Sequence, residues 1–230
     1  RARHDRTRGP AAQIRLLAAF RDFACPALGW DRSLLEGPEA DEFVRALRAF
    51  PILAREFDPE LTAPDIYQAA RNAITVHCLQ RLLSVPVQPT PSCLAYSLLY
   101  PYTDNFLDDG SVERVAKTAF GVRLSGRLAG EPVVPSTAHE ARVFRLVEMI
   151  ESEYARDEYP EVFQSLLAIH DAQQRSLALL HDTAGPSPQE IIDITVDKGG
   201  TSVLADGYLA AGSLTAGQAE CVYGLGVFLQ

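Results

Sequence analysis

The sequence predicts an all-α fold, a helical bundle in a single domain. Apolar residues recur at helical spacing along almost the whole chain, no credible strand alternation interrupts them, and prolines separate successive helical segments. Of the 230 residues, 47% are hydrophobic and 22% are charged, a balance that lets one domain bury a sizeable core. We therefore expect one domain over residues 1–230, with residues 1–10 as a flexible tail.

The first half of the chain contains the helix boundaries that are easiest to recognise. Apolar residues repeat at helical spacing over residues 14–23 and over residues 43–50. Pro51 and the stretches DPELTAPD and VPVQPTPS predict helix stops and starts, because proline cannot continue a helix but is tolerated in its first turn. Short proline-containing turns are thus expected between the helices.

The stretch PSCLAYSLLYPYTDNFLDD, which begins at Pro91, predicts one helix with a kink at Pro101. Its apolar residues run nearly all round the helix, which is typical of the centre of a bundle. Ser187 and Glu190 predict a capping box at the start of a later helix. Four further helical segments follow: TAHEARVFRLVEMIESEYA, PEVFQSLLAIHDAQQRSLALL, SPQEIIDITVDKGGTSVLADGYLAAG and TAGQAECVYGLGVFLQ.

Composition excludes several classes of protein. The net charge of −9 and the pI near 5.0 disfavour nucleic acid as a partner, since binding phosphates needs a basic face. No apolar run reaches transmembrane length and no signal peptide is recognisable, so a cytoplasmic protein without a transmembrane segment is expected. The cysteines lie among apolar residues without any CxxC pair, which indicates reduced core thiols: Cys25, Cys78, Cys93 and Cys221.

An acidic cluster ends the apolar helix. Asp104 and Asp108 are four residues apart and therefore share one side of a helix, with Asn105 and Asp109 on the adjoining edge. Two carboxylates repel each other there unless a cation lies between them, and oxygen ligands without histidine or cysteine favour Mg²⁺ or Mn²⁺. The alternative is that residues 108–110 merely end the helix while Asp104 is solvated.

Two stretches resemble class I isoprenoid synthases, the family of trans-prenyltransferases and terpene synthases. DNFLD, residues 104–108, resembles the aspartate-rich DDxxD motif with asparagine in its second place. DKGGTSVLADGYLAAGSLTAGQAECVYGLGVFLQ, residues 197–230, resembles the stretch that precedes the family's second metal motif. That second motif is expected after Gln230, so the C-terminal part of the domain is expected to be missing. The setting YPYTDNFLDD is similar to bacterial large-terpene synthases.

The resemblance implies helices around a deep apolar cavity with metal motifs at its mouth. Asp104 and Asp108 would bind Mg²⁺ and act in catalysis, with Asn105 and Asp109 as further metal ligands. Lys198 would contact the substrate diphosphate. The residues themselves agree, because Gly199 and Gly200 after this lysine would let the backbone approach an anion and break the helix. Gln174 and Arg175 are expected to sense diphosphate, and the cavity wall is expected to include Tyr96, Tyr100, Phe106 and Tyr208.

The function implied is that of a terpene synthase, which ionises a prenyl diphosphate with Mg²⁺ to an allylic cation, releases diphosphate and forms a terpene. A trans-prenyltransferase that adds isopentenyl diphosphate is the alternative, disfavoured because neither a GGKxxR segment nor an arginine pair after DNFLD is present. A homodimer is considered for either enzyme.

Two other classes of protein are alternatives to the isoprenoid synthase. A His-Asp metal phosphohydrolase would use His170 and Asp171 with His77 or His139, and a non-catalytic helical scaffold would need none of these residues. Three further carboxylates are weaker candidates than Asp104 for metal ligands: Asp193, Asp197 and Asp206.

Overall fold

The structure, a computed structural model, describes residues 38–179 and 186–229, apart from the side chains of residues 38–40 and 178–179. The helix predicted over residues 14–23, the tail over residues 1–10 and Cys25 lie outside these ranges. The chain divides into two compact units, residues 1–45 and residues 46–230. Since only residues 38–45 of the first unit are described, the single domain stays a prediction.

Every regular element in the described ranges is an α-helix, which confirms the all-α prediction. None of the helices in these ranges combines the length and the apolar character needed to cross a membrane. The helices are α1 (Pro38–Phe57), α2 (Ala63–Leu82), α3 (Pro91–Asp108), α4 (Arg114–Ala129), α5 (Ala138–Glu153), α6 (Pro160–Leu179), α7 (Pro188–Ala211) and α8 (Ala216–Phe228).

Local sequence explains where most helices begin. The stretches DPELTAPD and VPVQPTPS lead into α2 and α3, as predicted, and each helix starts after a threonine whose hydroxyl accepts a backbone N–H bond. The capping box predicted for Ser187 and Glu190 is confirmed at the start of α7. The same arrangement opens α8, where Thr215 and Gln218 form it.

Pro51 does not end a helix, so that prediction is wrong. α1 continues through Pro51 to Phe57. Proline removes one N–H donor and leaves the carbonyl oxygen of the preceding turn without its partner. Because Pro51 lies on an exposed part of the helix, water can satisfy that oxygen, and the interruption is tolerated. α3 likewise continues through Pro101 as one helix, and the kink there stays a prediction.

α3 occupies the centre of the second unit, as its all-round apolar character predicted. Every residue from Ser92 to Leu99 is buried, and the helix packs against α2, α5 and α7. Leu98 of α3 and Leu146 and Ile150 of α5 are fully buried in the same core. Burying one such side chain contributes about 1.5–3 kcal/mol to the free energy of unfolding, so the packing of α3 against α5 is a principal source of stability.

Ion pairs fix α4 against α5. Arg123 of α4 binds the buried carboxylate of Glu140, which also accepts hydrogen bonds from the Ser136 backbone N–H and hydroxyl group. Arg127 binds Glu151, which Arg156 also contacts. Burial alone raises the pKa of Glu140, but the bonds from Arg123 and Ser136 outweigh it and leave the pKa lowered. Glu140 and Glu151 are therefore both charged at neutral pH.

Two glycines of α7 lie directly against α8. A Cβ atom placed on Gly226 of α8 would lie 2.3 Å from the carbonyl oxygen of Gly199, and one on Gly200 would lie 2.4 Å from the Tyr223 ring. α7 runs unbroken through this region and both of its glycines are buried. The expectation that Gly199 and Gly200 break the helix is therefore wrong, because their small size serves close helix packing.

We predict that Gly226→Ala lowers the free energy of unfolding by about 1–3 kcal/mol or more, because the new methyl group would overlap backbone atoms that cannot rotate away. Gly224→Ala on the same helix is the control, since nothing lies within 4 Å of the Cβ position there. It should stabilise the helix by about 0.5–1 kcal/mol. Urea unfolding of both variants measures the difference, and equal effects would contradict the close contact.

Candidate functional site

Asp104 lies where α3 leaves the core. The buried stretch of the helix ends with Thr103, Asp104 is half-buried, and Asp108 one turn later is exposed. The side-chain amide of Gln173 on α6 donates a hydrogen bond to Asp104 Oδ1. Lys198 of α7 acts on the same carboxylate electrostatically. Residues from three helices therefore meet at Asp104.

The pKa of Asp104 is raised to about 6. Burial is the largest cause, and the Lys198 ammonium opposes it; the negative charge of Asp108 raises the pKa further, and a hydrogen bond from Tyr100 lowers it. The ionised carboxylate is thus held at the edge of the apolar core at an energetic cost. A cation bound beside Asp104 and Asp108 would offset that cost, which makes the pair a candidate functional site.

Asn105 and Asp109 lie apart from this pair. The Asn105 amide donates to Asp65 Oδ1 of α2 at 3.1 Å. Asp109 is exposed at the end of the helix and accepts bonds from the Ser111 N–H at 2.8 Å and hydroxyl at 2.7 Å. These bonds hold the pKa of Asp109 below its usual range. In this structure Asp109 shapes the turn after α3, and the role of both residues as metal ligands stays a prediction.

An apolar pocket lies close to Asp104, lined by its neighbour Thr103 and by its partner Gln173. Its volume is about 50 Å³, room for one or two water molecules, whereas ligand pockets usually measure about 300–1,000 Å³. The central cavity that the resemblance implies is therefore not confirmed. The pocket is lined by Tyr96, Leu99, Tyr100, Thr103, Leu124, Leu128, Leu166, Ile169, His170, Gln173 and Lys198.

The four aromatic residues expected in the cavity wall separate into different places. Tyr96 and Tyr100 line the pocket close to Asp104. Phe106 lies in another cleft, where its ring stacks on His139 with 4.6 Å between the centroids. Tyr208 is half-buried and packs on the main core. The structure thus places two of the four beside Asp104.

The cleft that contains Phe106 has a volume of about 350 Å³. Asn105 and Asp109 open onto it, together with residues of α2 and α5 and of the turn between α1 and α2. Arg142 of α5 pairs there with Asp58 at 3.1 Å and with Glu60 at 2.7 Å. Asn105 and Asp109 of the DNFLDD stretch therefore open onto a cleft that Asp104 and Asp108 do not line.

Three residues were expected to bind diphosphate, and the structure brings one of them to Asp104. Lys198 lines the pocket close to that carboxylate. Arg175 is exposed and pairs with Asp171 at 3.0 Å and with Asp197 at 2.9 Å. Gln174 packs against Gly121, and its amide nitrogen is buried without a hydrogen-bond partner.

Gln173 was not predicted from the sequence, where its neighbour Gln174 was named instead. Helical spacing on α6 is the signal that could have identified Gln173. Leu166, Ile169 and His170 form a buried stripe, and Gln173 falls on the same stripe one turn later. Its neighbour Gln174 is rotated by about 100° and lies against α4 instead.

The histidines proposed for a phosphohydrolase make other contacts. His170 Nε2 lies 3.0 Å from the carbonyl oxygen of Gly121, and His77 Nδ1 lies 2.8 Å from Gln80 Oε1. Burial lowers the pKa of both. Across residues 38–179 and 186–229, no three His, Cys, Asp or Glu side chains come together as a metal-binding group.

The remaining carboxylates that were weighed as ligands have partners of their own. Asp193 accepts a bond from Gln189 at 2.7 Å, and Asp197 accepts one from Tyr223 at 3.2 Å. Asp206 is fully buried, and Asn72 donates to its Oδ1 at 3.0 Å while Oδ2 has no partner. Burial raises the pKa of Asp206 well above its usual value, so the core favours the protonated form of this side chain.

The site therefore combines Asp104, Asp108, Tyr100, Gln173 and Lys198 over a small apolar pocket. Comparison with protein-family models, curated protein sequences and solved structures found no match to the chain. A proposal about function thus depends on the chemistry of these residues together with the two motif resemblances.

We predict that Lys198→Met raises the pKa of Asp104 above its value of about 6, because the opposing positive charge is lost. Asp108→Asn should lower the same pKa, because a repelling negative charge is lost. Carbon-13 NMR titration of the aspartate carboxyl groups measures both shifts. Shifts in the same direction would contradict the arrangement around Asp104.

We predict that Asp206→Asn changes how stability depends on pH. Burial raises the folded-state pKa of Asp206, so the contribution of this side chain to the free energy of unfolding is largest below about pH 4 and falls as pH rises toward the folded pKa. The slope is at most about 1.4 kcal/mol per pH unit. Urea unfolding at several pH values should show a steeper fall in the wild type and in the exposed control Asp157→Asn than in Asp206→Asn, where the raised pKa of Asp104 still contributes.

Proposed function

We propose that the chain acts as a class I terpene synthase, which ionises a prenyl diphosphate in a Mg²⁺-dependent reaction. The observation that carries this proposal is the half-buried Asp104, paired with Asp108 on one side of α3 and opposed by Lys198 at the mouth of an apolar pocket. Such a border between charge and apolar surface suits a substrate with an anionic head and a hydrocarbon tail. The motif resemblance supports the same class.

The donor set fits the proposed metal. Asp104 and Asp108 offer carboxylate oxygens only, and Mg²⁺ commonly takes one or two carboxylates while phosphate oxygens and water complete its coordination. These two residues would hold Mg²⁺, which when bound supplies positive charge to the leaving diphosphate. The raised pKa of Asp104 also supports the pair, because a nearby cation stabilises the ionised form.

The chain's own side chains have distinct roles in this proposal. Lys198 binds the diphosphate and stabilises the negative charge that grows as the carbon–oxygen bond breaks. The apolar residues of the pocket exclude water from the allylic cation that remains. The rings of Tyr96 and Tyr100 stabilise that cation through their electron-rich faces. Transfer of a proton from the cation to the released diphosphate then gives the terpene.

The pocket must enlarge when substrate binds, because its volume of about 50 Å³ is too small for a prenyl chain. Leu124 and Leu128 of α4 and Leu166 of α6 lie in its wall. Rotation of these long side chains, or movement of α4 away from α6, would deepen it. Mg²⁺-dependent binding of a prenyl diphosphate should therefore exceed the binding of inorganic diphosphate.

The test is incubation with Mg²⁺ and prenyl diphosphates of increasing length, with diphosphate release and hydrocarbon products as readouts. Asp104→Asn and Lys198→Met should each lower kcat by about 100-fold or more, since both remove charge that acts on the leaving group. Asp157→Asn, an exposed acid in the turn between α5 and α6, is the matched control and should keep wild-type activity.

The outcomes distinguish the classes of protein. Products longer than the substrate, formed only when isopentenyl diphosphate is added, would identify a trans-prenyltransferase instead. A wild-type protein that neither releases diphosphate nor binds a prenyl diphosphate in the presence of Mg²⁺ would overturn the proposal and favour a helical scaffold. Circular dichroism of every variant checks that the helices are intact.

A further inference from the structure

Gln173 of α6 contacts Asp104, one member of the acidic pair. Its side-chain amide donates to Asp104 Oδ1, although the two residues are far apart in the sequence. Gln173 is half-buried and lines the pocket together with Lys198. An exposed surface glutamine would exchange freely between rotamers, whereas this one is held between α3 and α7.

Packing of α6 sets the direction of the Gln173 side chain. Leu166 and Ile169 are buried on the same stripe of the helix, and His170 is fixed by its contact with the Gly121 carbonyl oxygen of α4 at 3.0 Å. Rotation of α6 about its axis would expose these residues and break that contact. The position of the Gln173 amide is therefore determined by the core rather than by solvent.

The amide affects Asp104 differently from Lys198. Lys198 supplies a full positive charge, which attracts the Asp104 carboxylate but would also repel a bound metal ion. A neutral amide fixes the plane of the carboxylate without neutralising it. A carboxylate has about four lone-pair positions, so a donor on Oδ1 leaves others free for a cation next to Asp108.

We propose that Gln173 is a positioning residue that orients the Asp104 carboxylate for metal binding. This inference rests on the proposed function, because it needs Asp104 to be a metal ligand. Hydrogen bonds to ligating side chains usually fix their orientation, and removing such a bond typically costs about 10–100-fold in metal affinity. Gln173 itself touches neither the metal nor the substrate in this role.

The experiment uses the whole chain with Mn²⁺ alone as the probe, and free Mn²⁺ is followed by electron paramagnetic resonance. Gln173→Met keeps the length of the side chain but loses its donor, and Gln173→Leu is a second variant if the first fails to fold. Either should weaken Mn²⁺ binding by about 10–100-fold. Gln164→Leu, an exposed glutamine of the same helix, is the control and should bind Mn²⁺ like the wild type.

The thermal stability of the Gln173 variants distinguishes a positioning role from a purely structural one. A positioning role predicts weaker Mn²⁺ binding while the thermal midpoint of the Gln173→Met variant stays within a few degrees of the wild type. Unchanged Mn²⁺ affinity in the Gln173 variants, with binding lost in Asp104→Asn, would overturn this inference and leave the proposed function standing. A wild-type protein that binds no Mn²⁺, or an Asp104→Asn variant that binds it normally, would overturn both.

Discussion

The burial of α3 on nearly every face is the constraint on which the candidate site depends. From Ser92 to Leu99 the helix lies inside the core, between α2, α5 and α7. A charged side chain within that stretch would need a partner to offset its loss of solvation. The first carboxylate of the helix is therefore Asp104, at the point where burial ends. The end of the core determines where the acidic pair lies and explains why one member is half-buried and the other exposed.

Helical geometry then gives neighbouring polar residues different surroundings. Asp104 meets Gln173 and Lys198, whereas Asn105 meets Asp65 and Asp109 closes the turn with Ser111. Residues that look equivalent in the DNFLDD stretch thus differ in burial, partners and proton affinity. The distinction matters for function, because only the carboxylate at the apolar border carries an energetic cost that a bound cation can relieve.

The position of Lys198 follows from packing between α7 and α8. Gly199 and Gly200 follow this lysine and lie in close contact with Gly226 and Tyr223. Because neither helix can shift along that contact without overlap of backbone atoms, the side chain just before it is held at a fixed place beside the pocket. A stability feature of the fold therefore determines which cation faces Asp104.

Local rules such as the Ser187–Glu190 capping box and apolar residues around a whole helix allowed most of the helices, though not α4, and the central place of α3 to be predicted from the sequence. Asp104, Asp108 and Lys198 were also named from the sequence, and the structure places the charge of Lys198 near Asp104. Packing in three dimensions shows that Gln173 rather than Gln174 reaches Asp104 and that the pocket is small. These two features depend on contacts between distant parts of the chain, which helical spacing alone does not determine. The continuation of α1 through Pro51 also appears only in the structure, where an exposed helix face tolerates the lost hydrogen bond.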